Sequence, residues 1–349
     1  MKSLRSAIGV LGASALVATL SACSGGASTQ PESIAPGVSG VEARLHPLTN
    51  PQRVLALLES RPAPSVARGR SRMSPRAKSS SLLYLGNSAN GSVGVYSYPS
   101  LNPLGVLLGF TQPYTMCIDA AQDIYVTDFG GGRVIEYAHG AVAPARSLAD
   151  HQGVPVACAV DPSTGDLAVS NFVGPSSSPG NVILYTGAKG TPTKFTAPSF
   201  NNYFFAAYDA NGNLFVDGLN ASGDVLLAEL PKGKSAFKAI AMNVTIGFPG
   251  GVAWDGAFLA VGDQFSNTIY QFKVSGSNAT EQGSTTLNDA TDVFQFFTTG
   301  GSTKHPQATA VVGADFGGGA ADQWQYPAGG TPVKTITGLD GPEGAAISK

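Results

Sequence analysis

The chain has 349 residues, of which 43% are apolar and only 13% charged, with a formal net charge of −2. That balance gives no global electrostatic case for nucleic acid or an acidic substrate, and it leaves enough apolar material for a sizeable core. Beyond the first twenty residues nothing approaches the length of a membrane-spanning helix.

The N-terminus, residues 1–22, has the layout of an export signal. Lys2 and Arg5 form a positive flank, Ala7 to Leu20 an apolar stretch, and small residues end it. Leu20-Ser21-Ala22-Cys23 resembles the bacterial lipoprotein box, and the resemblance implies that Cys23 receives lipid and becomes the new N-terminus. An ordinary signal peptide with a chance cysteine is the alternative. Ser24 implies, by the same resemblance, outer-membrane sorting in a Gram-negative envelope, and the cell surface otherwise. The expected partner is therefore a membrane, reached through a lipid, with the folded domain itself soluble.

Residues 23–80 change character and are expected to form a Pro-rich, basic tether. Asn50-Pro51 can cap and start a short helix. Between 61 and 78 stand Arg61, Arg68, Arg70, Arg72, Arg76 and Lys78 with no acidic residue. Such a run serves as a solvated spacer, or it touches anionic headgroups or polyanionic envelope polymers.

From residue 81 onward a phrase of seven residues recurs. It reads Pro-Tyr-Thr-Met-Cys-Ile-Asp (113–119), Pro-Val-Ala-Cys-Ala-Val-Asp (155–161), Tyr-Phe-Phe-Ala-Ala-Tyr-Asp (203–209) and Pro-Gly-Gly-Val-Ala-Trp-Asp (249–255). Pro-Gln-Ala-Thr-Ala-Val-Val (306–312) and Pro-Glu-Gly-Ala-Ala-Ile-Ser (342–348) continue the series. Each phrase leads through an Asp/Asn/Gly turn into a second strand, such as Ile124-Tyr-Val-Thr or Leu214-Phe-Val. An alternating third strand follows, as in Arg133-Val-Ile-Glu-Tyr and Thr268-Ile-Tyr-Gln-Phe. Starts 36 to 57 residues apart match a four-stranded propeller blade, a unit that buries its faces only against its neighbours. Cys117, Ala159, Ala207, Ala253, Ala310 and Ala346 share one column, where a crowded innermost strand needs small side chains. Leu82 to Phe110 has strands but no opening phrase, and the C-terminus has a phrase but no strands. The expected fold for 81–349 is thus an all-β propeller, most simply six four-stranded blades, closed by the C-terminal strand joining the first blade.

The phrase Pro-x-Gly-φ-Ala-φ-Asp followed by a turn resembles NHL and YVTN-type propeller repeats and the related senescence-marker/gluconolactonase superfamily. The resemblance implies the fold; its members include lactonases, lyases and binding modules.

Catalytic signatures are missing: no Gly-x-Ser-x-Gly elbow, no His-Glu-x-x-His, no phosphate loop, no Cys-x-x-Cys. His46, His139, His151 and His305 are scattered without metal-ligand spacing. Propeller geometry instead gathers two columns on one axial face. Tyr114, Val156, Phe204, Gly250, Gln307 and Glu343 follow the opening residue. Asn87, Asp128, Asn171, Asp217, Asp263 and Asp315 end the second strands. An oxygen-rich ring of this kind suits Ca²⁺ or another divalent cation, and the resemblance, whose lactonase-like members hold a divalent ion on this face with a Glu, Asn and Asp set, implies Glu343, Asp128 and Asn171 as candidate ligands. The same Asp and Asn side chains equally suit capping of backbone N–H groups, which requires no cofactor. Tyr114 and Phe204 either line a site for a ring-shaped ligand or plug the channel. The preferred function is a non-enzymatic envelope lipoprotein whose axial face binds a protein, glycan or small ligand. A metal-dependent lactone or ester hydrolase of the gluconolactonase type is the alternative. Cys117 and Cys158 leave opposite faces of equivalent strands, so they either bridge one blade interface or remain two buried thiols.

Overall fold

The structure is a computed structural model that describes residue 67, residues 69–302 and residues 304–349. The export segment, Cys23 and the helix expected after Asn50 lie outside the described residues. What is described is almost entirely antiparallel β, with only short 3-10 turns as helical structure.

The strands fall into repeated four-stranded meanders. β1 (Arg72–Met73), β2 (Leu82–Asn87), β3 (Ser92–Ser97) and β4 (Pro103–Leu108) open the chain. β5 (Pro113–Ile118), β6 (Ile124–Asp128), β7 (Arg133–Tyr137) and β8 (Arg146–Ala149) make the next sheet. β9 (Pro155–Val160), β10 (Leu167–Val173), β11 (Pro179–Tyr185) and β12 (Thr193–Phe195) make another. β13 (Asn202–Tyr208), β14 (Leu214–Leu219), β15 (Val225–Leu230) and β16 (Lys238–Met242) are followed by β17 (Pro249–Trp254), β18 (Leu259–Asp263), β19 (Thr268–Ser275) and β20 (Asn278–Thr286). These eight strands form one sheet because β16 and β20 meet in parallel at Ala241–Asn278 and Met242–Ala279. β21 (Val293–Thr299), β22 (Ala310–Asp315), β23 (Ala320–Gln325) and β24 (Gly329–Thr337) complete the series.

The last strand, β25 (Pro342–Ser348), pairs antiparallel with β2 from Leu82–Ser348 to Asn87–Pro342. The two chain ends are thereby stitched into one five-stranded sheet, in the order β1-β4-β3-β2-β25. First strands pack on one another in sequence: β25 on β5, β5 on β9, β9 on β13, β13 on β17, β17 on β21, and β21 back on β25. The circuit closes, and the arrangement is a β-propeller.

Local chemistry explains the repeat. The aspartate ending a phrase caps the hairpin after it: Asp209 Oδ1 accepts from Asn211 N and Asn213 N, both at 2.9 Å. Asp119, Asp161 and Asp255 cap the following backbone in the same way. Every first strand pairs with its second strand across a register shift. Such bulges turn the residues near the mouth end toward the axis.

Two expectations are corrected, and one open alternative is decided. The phrase at 306–312 does not open a blade: Ala310 begins a second strand, and the first strand of that sheet is β21. With that change the first strands begin at 113, 155, 202, 249, 293 and 342, a more even spacing. The sheet also starts before residue 81. Arg72 and Met73 pair with Val106 and Gly105, and Ala77 in the turn Pro75–Ser79 is fully buried. Finally, Cys117 and Cys158 are joined, with Sγ atoms 2.10 Å and Cα atoms 5.6 Å apart. The bond ties β5 to β9 within a core that includes Tyr125, Leu148, Leu167 and Ile183.

Candidate functional site

At one end of the ring each second strand finishes beside the start of its first strand. Asp128 pairs with Pro113, Asn171 with Pro155, Asp263 with Pro249, Asp315 with Val293 and Asn87 with Pro342. All five side chains are buried. Asp128 Oδ1 accepts from Thr111 N at 2.9 Å and Gln112 N at 2.8 Å, while Oδ2 holds Arg133 Nε at 3.0 Å. Asp263 accepts from the backbone N–H groups of Gly247, Phe248 and Phe265 and from Ser266 Oγ. Asp315 accepts from Thr291 N, Asp292 N and Gly318 N. Asn87 Oδ1 accepts from Asp340 N, and Asn171 Nδ2 donates to Asn181 Oδ1, whose own amide donates to Gln152 O. The column is a set of clamps fixing the loop that enters each first strand. At Asn87, Asp128, Asp263 and Asp315 the side-chain oxygens satisfy loop N–H donors that have no ladder partner.

Asp217 is not part of that column. Gly218 pairs with Tyr203 in the clamp position, and a Cβ there would lie 2.2 Å from Asn202 O. Asp217 occupies the preceding position, which Thr127 and Ser170 hold in the two sheets before it. Those hydroxyls donate across to the next first strand, Thr127 Oγ1 to Val156 O at 3.2 Å and Ser170 Oγ to Phe204 O at 2.5 Å. Asp217 Oδ1 accepts from Phe205 N at 2.7 Å, whereas buried Oδ2 has no partner. Desolvation raises its pKa well above the ordinary carboxylate range. The folded state holds this proton to higher pH than the unfolded chain, so stability falls as pH rises above the unfolded value near 3.9. Asp217→Asn removes that term, keeps Oδ1 as the acceptor for Phe205 N, and puts an amide nitrogen where the unpartnered Oδ2 stands. It is expected to raise neutral-pH stability by about 1–3 kcal/mol, with the gain shrinking toward pH 4. Asp263→Asn, which weakens a clamp, should instead lower stability at pH 7. Urea midpoints at pH 4 and 7 measure both.

Inside the clamps the mouth is aromatic. Tyr114 stacks on Phe129 at 4.7 Å and meets Phe294 edge-on at 5.0 Å. Phe204 meets Phe172 at 5.3 Å and Phe248 at 5.5 Å, and Phe205 meets Phe294 at 4.9 Å. Tyr114 and Phe204 are only 2% and 5% exposed, so they plug the axis rather than wall an open channel. Phe294 takes the position expected for Gln307. Gln307 itself lies past the far end of β17, donating to Asp255 Oδ2 at 3.4 Å. Glu343 is buried at the axial position expected for it and accepts from Ser88 Oγ at 2.7 Å. Gln295 links neighbouring first strands, accepting from Met116 N and Ala345 N and donating to Met116 O.

The residues that the sequence reading passed over sit just beyond the clamps. Asp128 is followed by Phe129, Asn171 by Phe172, Asp315 by Phe316, and Asp263 by Gln264 and Phe265. Phe129 and Phe316 are partly exposed, and Phe265 is 46% exposed, a rare state for a large apolar residue here. An aromatic recurring immediately after a repeated Asp or Asn was the available signal.

The divalent cation implied by the resemblance fits this end poorly. Asp128 gives both oxygens to the loop and Arg133, Glu343 bonds Ser88, and Asn171, whose Nδ2 is tied to Asn181, offers a single buried Oδ1 that has no protein partner. Among the described residues no three His, Cys, Asp or Glu side chains converge as metal ligands.

The fold and site define a β-propeller with an aromatic axial mouth. No family model and no curated protein sequence matches the chain. Among solved structures it is similar to a chain in the crystal structure of a nidogen/laminin complex, with a TM-score of 0.62 at 12% identity. The likeness covers 77% of this chain and 98% of that one, and at this identity it concerns the fold alone.

Proposed function

We propose that this is a non-enzymatic cell-envelope lipoprotein whose propeller axial mouth docks an apolar or aromatic surface of a protein, glycan or small ligand. Counting the eight-stranded sheet as two supports a reading of six blades, of the NHL/YVTN type that the repeated phrase resembles. The carrying observation is the rim of Phe129, Phe316 and 46%-exposed Phe265 above a closed aromatic floor. Exposed aromatics on a rigid scaffold supply contact area at low ordering cost. The matched solved structure, a complex of two proteins by its own description, is consistent with a binding role for such a ring. Asp128, Asp263 and Asp315 on this face give carboxylate oxygens to backbone N–H groups, which supports a structural rather than a hydrolytic task for them.

The test is site-specific photo-crosslinking in the native host. A photoreactive side chain at Phe265 should yield discrete adducts, while one at Lys234, exposed on a strand connection outside the mouth, should not. Equal adducts at both positions, or none at Phe265, overturn the reading. The anchor has a separate test. Cys23→Ala should move the protein out of the membrane fraction or leave its leader uncleaved, and unchanged partitioning and mass would refute lipidation.

A further inference from the structure

Charge is unevenly distributed around the ring. From Arg61 to Ile118 the chain carries 6 basic residues and no acid, whereas residues 119–349 carry 20 acids and 11 basic residues. Four of these six, Arg70, Arg72, Arg76 and Lys78, are described and stand on one rim. Arg72 lies in β1, the outermost strand of the closing sheet, with Arg70 just before it and Arg76 and Lys78 in the turn Pro75–Ser79. All four are exposed, and among the described residues none pairs with a carboxylate. The turn is held down rather than loose. Ala77 is fully buried, its backbone packs close against Gly140, and Ser74 Oγ caps it through Arg76 N. β1 to β4 contain no acid, and the acid on the remaining strand of that sheet is Glu343, buried at the axis.

We infer that this rim is a docking edge for an anionic membrane surface, an orientation device that rests on the lipoprotein reading above. A lipid at Cys23 tethers the chain without choosing which side of the ring faces the bilayer. Fixed cations on one rim choose it, because anionic headgroups attract that edge and repel the acid-rich remainder. Since β1 is the outermost strand, the ring stands on its rim. Its axis then runs along the bilayer, and the aromatic mouth opens sideways to a partner. A membrane is favoured over a soluble polyanion because the basic rim follows, within one connecting segment, the cysteine expected to carry lipid.

The experiment uses the mature chain from residue 23 with Cys23→Ser, so that lipid contributes nothing and failure of the anchor reading is separable. Cosedimentation is measured with vesicles of phosphatidylcholine alone and with about one-third phosphatidylglycerol, at low and high salt. Binding should need the anionic lipid and be lost in high salt. Each neutralised rim cation should weaken it by roughly fivefold. Arg70→Gln/Arg72→Gln/Arg76→Gln/Lys78→Gln together should therefore weaken it by at least about a hundredfold. A charge-matched control, Lys189→Gln/Lys194→Gln/Lys234→Gln/Lys273→Gln, exposed elsewhere on the ring, should bind as the parent does. Melting curves check that both variants fold. Equal loss in both quadruple variants overturns the located rim. Binding to dextran sulfate without binding to vesicles overturns the membrane in favour of a polymer. If neutralisation causes only aggregation, the cations guard an edge strand and the inference falls.

Discussion

Deleting residues 341–349 is expected to unfold the whole domain, not to fray one edge. β25 is buried at all seven positions and forms the innermost strand of a sheet whose other members come from the opposite end of the chain. Its removal exposes the inner edge of β2 and breaks the packing of β21 and β5 on the same strand. Six register pairs with β2 are lost, together with Ala345 and Ile347 from a core shared with Leu83, Leu85 and Val312, and Ala346 from the core of Tyr84 and Met116. Hydrogen bonds worth about 1 kcal/mol each and an Ile worth about 2 kcal/mol sum to the scale of a whole domain's stability, about 5–15 kcal/mol. The end of the strand is also latched to a neighbouring sheet. Ser348 Oγ donates to Gln122 O at 2.8 Å and contacts His139 Nδ1, while Lys349 N donates to Gln122 Oε1 at 2.6 Å. His139 Nε2 lies 3.1 Å from Ser80 O, so one imidazole joins the entry and exit of the ring. Thermal melts and amide exchange should show loss of protection in every sheet. A truncated chain that melts within a few degrees of the parent would show that the ring is not held by its closure.

That closure was legible because a phrase without strands and strands without a phrase stood at opposite ends of the chain. Turn aspartates were legible too, since Asp and Asn before Gly cap their own hairpins wherever the backbone goes. The repeat failed as a guide where packing overrode its pattern. In the sheet of β21, Phe297 pairs with Val312 at the position where Cys117 faces Tyr125 and Ala346 faces Tyr84. A large residue in a column of small ones, with no opening proline, hid the true strand. Meanwhile Pro306 to Val312 carried the expected letters on a loop and a second strand. The clamp column was read one residue out at Asp217 because Gly218 leaves no side chain to recognise. Its contact with Asn202 O, which excludes a Cβ, is visible only in three dimensions. The aromatic rim escaped for another reason. Apolar residues after a strand ordinarily signal core, and only exposure separates Phe265 from buried Phe172.

Removing the bond between Cys117 and Cys158 is expected to cost about 3–4 kcal/mol. In the chain-entropy model the value follows from the sequence separation of 41 between the two positions, a loop the unfolded chain would otherwise explore freely. The bond forms because side-chain parity and blade packing agree. Cys117 pairs with Tyr125 and Cys158 with Val169, so the thiols leave opposite faces of equivalent strands. Consecutive sheets present opposite faces to each other, and at the crowded inner strands those faces lie within bridging distance. An exported chain would meet an oxidising compartment where such a bond persists. Cys117→Ala/Cys158→Ala is the clean comparison, because alanine is what the neighbouring first strands carry near the same level and adds no buried polar atom. The urea midpoint should fall, and its slope should rise modestly as the unlinked chain exposes more surface on unfolding. Reductant should destabilise the parent by a similar amount and leave the double variant unchanged. Thiol titration of the denatured, unreduced Cys23→Ser chain should find no free thiol. Two free thiols, or a double variant as stable as the parent, would show that the pair fills the interface without linking it.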